Sequence, residues 1–276
     1  MQIIWILAGI LSGLLVLAAL YVLSTLCRKG HKGLEALRGW SYAHRGLHDN
    51  DSDAPENSLP AFLKAVHVGY GIELDVQLTK DRIPIVFHDD TLKRVCGVSG
   101  SAKDYTYAEL SKLRLFNTEE TIPKLVDVLA LVDGQVPLII EIKFPENPTT
   151  VCRYVNFVLE NYKGTYCIES FHPLAVKWFK DHRPDLIRGQ LSSNFLKSDD
   201  DPHPSETLVH LLVTNFLSKP DFIAYDHRYK NNLSRLICRY VYKSLSISWT
   251  IRSQEELDAC KDDFDLFIFE GFIPNE

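Results

Sequence analysis

Gly71-Ile72-Glu73-Leu74-Asp75-Val76-Gln77-Leu78 is the stretch on which the architecture turns. Apolar side chains recur at every second position, the period of a β-strand, in which residues two apart point to one face. Glu73 and Asp75 therefore share one face, while Ile72 and Leu74 share the other. Charged side chains inside an apolar strand are costly unless something pairs with them. In a closed barrel of parallel strands, inward positions near the strand C-termini line the mouth where chemistry takes place.

Similar apolar runs recur along the chain. Strands are expected at 41–45, 71–78, 83–88, 137–143, 166–171, 186–192, 222–226, 245–251 and 266–270. Helical patterns fall between them. One follows the capping pair Asn57-Ser58, with Ala61, Phe62, Ala65 and Val66 as its buried stripe. Others are expected at 123–133, 149–162, 173–183, 206–217, 231–243 and 253–262. Such alternation implies a parallel sheet with crossover helices. About eight parallel repeats plus a hairpin-like extra strand near 83–88 suit a closed (β/α)8 TIM barrel better than an open doubly wound sheet. Residues 91–121 are polar and turn-rich, with weak helical character near 107–114, and read as a small insertion after the second strand region. Residues 194–206 read as a solvated loop, so Asp199, Asp200 and Asp201 within it are not taken as a metal site. Leu34 and Leu37 suggest a short helix at 32–39 that closes one barrel end.

The N-terminus is different in kind. Ile3 to Leu26 is uncharged and long enough to span a bilayer. No basic segment precedes it, as a cleaved signal would require, and Leu-Ser-Thr-Leu-Cys27 lacks the small residue of a lipoprotein site. Arg28, Lys29, His31 and Lys32 follow at once. The expectation is a single-pass anchor at 1–27, a basic linker at 28–40 and a barrel at 41–276, with the barrel on the cytoplasmic side.

Across its 276 residues the chain carries a formal charge of −6, which argues against nucleic acid or anionic lipid held by bulk charge. Any phosphate recognition has to be local. The six cysteines form no C-x-x-C pair and no zinc spacing, so they read as reduced, buried thiols.

Three further segments join the first: His44-Arg45-Gly46, Phe87-His88-Asp89 and Glu141-Ile142-Lys143. Glu73, Asp75 and Glu141 converge with a single nearby Lys143, and crowded carboxylates of this kind ask for a cation. Oxygen ligands favour Mg2+ or Ca2+ over zinc. His44 and His88, each ending an apolar strand, are the acid/base candidates, with no basis for saying which is which. Arg45 and Lys143 suit phosphoryl oxygens. Asp89 either orients His88 or caps the next turn, and Trp249 is either core or pocket wall. His48, His67, His172, His182, His203, His210 and His227 show no partner pattern and read as surface or capping residues. Together the set suits cleavage of a phosphate ester. A glycosidase built on Glu73 and Glu141 would leave His44, Arg45 and His88 idle. A membrane-tethered phospholipid-binding module without catalysis would not need the intact set.

The ordered set His-Arg-Gly, Pro55-Glu56-Asn57-Ser58, Glu-Leu-Asp, Lys80-Asp81, His-Asp and Glu-Ile-Lys resembles the glycerophosphodiester phosphodiesterase family over about residues 41–271. The resemblance implies a TIM barrel that hydrolyses glycerophosphodiesters, or lysophospholipids, to glycerol 3-phosphate-type products and an alcohol. It implies His44 and His88 as the acid/base pair, Glu73, Asp75 and Glu141 as metal ligands, and Arg45, Lys143 and the late Trp249 on the substrate. Ser170-Phe171 is similar to the family's Ser-Phe strand end. The last strand departs from the pattern: it reads Phe269-Glu270-Gly271-Phe272 where the family has Thr-Asp followed by Pro, and no helical pattern follows it.

Overall fold

The computed structural model describes residues 1–143, 147–194 and 208–275. Eight strands form a closed parallel barrel: β1 (Ser41–His44), β2 (Gly71–Leu78), β4 (Leu138–Ile142), β5 (Tyr166–Ser170), β6 (Arg188–Ser192), β7 (Phe222–Asp226), β8 (Leu245–Ile251) and β9 (Leu266–Phe269). β1 closes the ring by pairing with β9 on one side and β2 on the other, so closure needs no further helix after β9. The extra strand, β3 (Pro84–Val86), runs antiparallel to β2. The strand boundaries expected from the pattern hold to within two residues at each end. The expected loop at 194–206 and its three aspartates fall almost wholly outside the described residues.

The two-residue period sorts each strand into an inner and an outer row. On the outer row Ile72, Leu74, Val76, Ile140 and Ile142 pack against the helices. On the inner row the lower, N-terminal end is filled by Leu37, Tyr42, Ile139, Cys167, Phe222, Leu245 and Leu266. Each such large apolar side chain contributes about 2 kcal/mol by leaving water. Gly189 makes room there, since a Cβ would meet the Phe222 ring at 2.0 Å. One step up each strand the chemistry changes: Tyr42 gives way to His44, Ile139 to Glu141, Cys167 to Glu169 and Ile268 to Glu270. Packing occupies the lower end, and polar groups the upper.

Helices cover the outside. α1 (Gln2–Ser24) is the long apolar N-terminal helix. α2 (Leu59–Val68) starts at Ser58, whose hydroxyl accepts from the Ala61 N–H, and stops at Gly69 in the left-handed region. The insertion folds as α3 (Lys93–Cys96), a 3-10 turn and α4 (Tyr107–Leu110) around a small core of Ile85, Phe87, Leu92, Val95 and Leu110. α5 (Leu125–Val132), α6 (Pro148–Leu159) and α7 (Pro173–His182) follow, then shorter helices at Asn215–Ser218, Leu233–Tyr240 and Gln254–Cys260. The single helix expected at 206–217 is broken instead: Leu212 takes a φ of 52°, and Asn215–Ser218 starts afresh beyond it.

The segment after α1 is bound into the barrel wall rather than hanging free. Thr25 and Cys27 are buried, and the Arg28 guanidinium pairs with buried Asp221. A 3-10 helix, Lys32–Leu37, then plugs the lower end with fully buried Leu37, whose carbonyl accepts from the Tyr42 hydroxyl at 2.9 Å. Five of the six cysteines are buried; Cys96 is half-buried.

Candidate active site

The upper ends of β2 and β4 carry the carboxylates. Asp75 lies opposite Glu141 in the parallel register, and Glu141 lies opposite Glu169 of β5. Oxygens of Glu73, Asp75 and Glu141 all lie within 4.8 Å of one another, and all three side chains are buried. Lys143 places its Nζ 2.9 Å from Glu141 and 3.3 Å from Asp75. Arg45 reaches Asp75 at 3.5 Å, and its backbone N–H donates to Glu73 at 3.1 Å.

Glu169 is a fourth carboxylate that the sequence reading passed over. Among the described residues its buried Oε2 has no hydrogen-bond partner. The signal was present as Cys167-Ile168-Glu169, the same inward spacing on the next strand. Burial, then the neighbouring carboxylates, pushes Glu73 and Glu169 well above the usual carboxylate range. Asp75 goes the other way: burial opposes ionisation, but the charges of Lys143, His88 and Arg45 overcome it. Two cations facing four carboxylates leave a deficit of positive charge in an all-oxygen site. The residues present therefore fit a hard divalent cation.

The histidines share one design. His44 Nδ1 lies 2.5 Å from Glu270 Oε2, and Arg252 Nε donates to the other oxygen of Glu270 at 2.7 Å. His88 Nδ1 lies 2.8 Å from Asp89 Oδ1, and Arg94 holds Asp89 through two bonds of 2.7 Å. A carboxylate on Nδ1 fixes that nitrogen as the donor and leaves Nε2 for the pocket. His44 Nε2 sits 3.8 Å from Glu73. Burial lowers the His44 pKa to about 4, against the opposing pull of Glu270. Asp89 thus orients its histidine, which settles one alternative. Glu270, which stands where the last strand departs from the family pattern, is the partner of His44. His48, read as partnerless, lies beside the site with Nε2 4.0 Å from Glu270. Of the other histidines, His172 caps α7, His210 is buried against the Ser193 carbonyl and the Tyr225 hydroxyl, and His203 lies outside the described residues.

The motif Pro-Glu-Asn-Ser supplies the scaffold. Glu56 accepts from Arg45, Arg94 and Asn50, Asn57 donates to Asp75 at 2.9 Å, and Ser58 caps α2. Arg45 and Asn57 both adopt left-handed φ values, 55° and 58°, which cost energy and here aim both side chains at Asp75. Gly46 follows at φ 82°, where a Cβ would also meet Ala61 at 2.9 Å. Gln77, fourth on the inward row of β2, donates to the carbonyls of Phe87, His88 and Asp89 and pins the His88 segment. Trp249 lines the mouth, edge-to-face with Phe171 at 5.6 Å, so it is pocket wall. Seven of the eight site residues read from the sequence line one cavity of about 150 Å3, and the eighth, Asp75, is paired with Arg45 and Lys143 of that lining. A larger groove of about 530 Å3 between α5 and α6 holds no comparable cluster.

Residues 44–262 match the glycerophosphoryl diester phosphodiesterase family. The chain belongs to that family. A Bacillus altitudinis glycerophosphodiester phosphodiesterase is 35% identical over 174 residues, 58% of this chain and 69% of the relative. YhdW of Bacillus subtilis, whose name assigns it the same activity, is 31% identical over 232 residues, 77% of this chain and 86% of its own. Among solved structures, an Oleispira antarctica phosphodiesterase in complex with the product sn-glycerol 3-phosphate superposes with a TM-score of 0.68 at 23% identity, covering 85% of this chain and 94% of its own. The phosphodiesterase is thus a phosphoric diester hydrolase on a TIM barrel, as the ordered motifs implied.

Proposed function

We propose that this phosphodiesterase cleaves glycerophosphodiesters to a glycerol 3-phosphate-type product and an alcohol, with a divalent cation at Glu73, Asp75 and Glu141 and proton transfer by His44 and His88. The observation that carries the reading is the convergence of three buried carboxylates with two histidines, each held by its own carboxylate and arginine pair. When bound, Mg2+ or Ca2+ supplies positive charge against the phosphoryl oxygens. Arg45 and Lys143 add their own donors to those oxygens. One histidine accepts a proton from the attacking water as its oxygen bonds to phosphorus, and the other donates a proton to the alkoxide as its P–O bond breaks, because that alkoxide is too basic to leave unprotonated at neutral pH. Glu270 and Asp89 hold the two imidazoles in the tautomer that presents Nε2. The Trp249 and Phe171 rings give the pocket an apolar side, suited to glycerol carbons or to an acyl chain. The product found on the Oleispira neighbour supports glycerol 3-phosphate as the retained half.

α1 supports the reading of a membrane-anchored enzyme. It has 23 residues, with a mean hydropathy of 2.7 over an 18-residue stretch, and is exposed through Leu20. Arg28, part of the flanking charge, is engaged by Asp221, so the cytoplasmic orientation rests on Lys29 and Lys32. Product analysis over a panel of glycerophosphodiesters and lysophospholipids tests the function. Release of glycerol 3-phosphate or its acyl ester is the expected result, and a panel left intact refutes it.

A further inference from the structure

We propose that the catalytic mouth faces the bilayer that α1 enters, so that substrate reaches the site from the membrane surface; this rests on the reading of α1 as an anchor. Three contacts give α1 its direction. Tyr21 bonds the Ser234 hydroxyl at 2.6 Å, in the first turn of Leu233–Tyr240, the helix that follows the C-terminal end of β7. Four residues on, the Thr25 carbonyl accepts from Cys238 Sγ at 3.5 Å. Arg28 N–H then donates to the Pro220 carbonyl, two residues before β7 begins. From Tyr21 to Arg28 the chain therefore descends along β7, from its C-terminal half to its N-terminal end.

Followed backwards, α1 rises toward the end of the barrel that holds His44, Glu73 and Glu141, and there it leaves the domain. Residues 2–20 are exposed throughout. At about 1.5 Å per residue they extend close to 30 Å, the thickness of a hydrocarbon core. No slack separates the anchor from the barrel, because Tyr21 is half-buried and Thr25 and Cys27 are buried against it. A helix entering a bilayer in this direction, on so short a tether, brings the membrane to the side of the mouth.

The rim there is suited to a lipid surface. Leu174 in the first turn of α7, Leu208 above β6 and Ile273 beyond β9 are 46%, 48% and 57% exposed. Val68, Phe157 and Val241 are exposed toward the other end, so exposure alone does not choose a face; the direction of α1 does. Inside the mouth, Phe171 and Trp249 form an apolar wall next to the charged floor. That combination fits an amphipathic glycerophosphodiester that still carries one acyl chain, its phosphate reaching Arg45 and its chain directed to the bilayer.

The test uses the full chain in phosphatidylcholine vesicles. Nitroxide labels are placed on a C96S background at Leu174→Cys and Ile273→Cys on the rim, and at Lys163→Cys, which is exposed just before β5 at the far end. Collision with oxygen and with a water-soluble nickel complex is read by spin resonance. The expected result is oxygen-favoured collisions at positions 174 and 273 and nickel-favoured collisions at 163. Rim labels as water-exposed as the label at 163 would overturn the proposal, as would a chain that alkaline carbonate strips from the vesicles. A double variant, L174D/I273D, should lower turnover of vesicle-borne lysophosphatidylcholine at least fivefold more than turnover of soluble glycerophosphocholine; equal effects on the two would refute docking. Loss of soluble turnover in the unaltered chain would instead refute the proposed reaction, while the label readout would still decide orientation.

Discussion

The two ends of the barrel interior are built on the same eight strands and do opposite things. At the lower end Leu37, Tyr42, Ile139 and Phe222 are fully buried and apolar apart from one satisfied hydroxyl. At the upper end Glu73, Asp75, Glu141 and Glu169 are as thoroughly buried and all ionisable. Burial stabilises the first group and raises the energy of the second. The second persists because Lys143, Arg45 and Asn57 are aimed at it, and because four carboxylates leave room for a cation. One end specifies the fold, and the other spends stability on reactivity.

If that division holds, substitutions should separate cleanly. The largest effect is expected for E73Q, which keeps the shape of the side chain and removes a ligand charge. Turnover should fall by about a thousandfold or more, the scale of several kcal/mol of lost charge stabilisation, with little change in melting temperature. H44A and H88A come next, each lowering turnover by about a hundredfold or more and abolishing one limb of a bell-shaped pH profile. Wild-type rates in either variant would remove that residue from the mechanism. At the lower end, L37A should cost about 2–5 kcal/mol of unfolding free energy while the turnover of folded enzyme stays put. A change in kcat without a change in stability would break the comparison.

A smaller effect tests how the upper end is held together. Burial alone would raise the Glu56 carboxyl, but hydrogen bonds and charge from Arg94, with the charge of Arg45, hold it at about 2 against an ordinary 4.5. A carboxyl lowered in the folded state adds stability that is complete above its unfolded pKa and lost as pH falls toward the folded one. Between pH 4.5 and 2 the phosphodiesterase should lose about 3 kcal/mol from this group. E56Q should flatten that part of the stability curve, and an unchanged acid limb would show that the Arg45–Glu56–Arg94 cluster is not what holds the mouth.

Much of this could be read from the chain, for identifiable reasons. β2 was legible to the residue because alternation and burial on both faces leave one register. Glu73, Asp75, Glu141 and Lys143 were legible because spacing of two on a strand puts residues on one face whatever the tertiary structure. Glu169 carries the same spacing on β5 and was as legible, whereas Glu270 was not, since its role depends on which strand lies beside which. β9 must close against β1 before Glu270 meets His44, and that pairing joins residues more than two hundred apart. Gln77 was overlooked because its work is done on backbone carbonyls, which carry no sequence signal. The break at Leu212 was hidden because a left-handed leucine has no local signature.

The central claim is that the carboxylates of β2 and β4 bind the cation on which phosphodiester cleavage depends. It is tested most directly by stripping the enzyme with chelator and titrating Mg2+ or Ca2+ back while glycerol 3-phosphate release from glycerophosphocholine is followed. Turnover should be absent without cation, should rise with the filling of one site per chain, and should not return in E73Q. Full turnover in excess chelator would contradict the account.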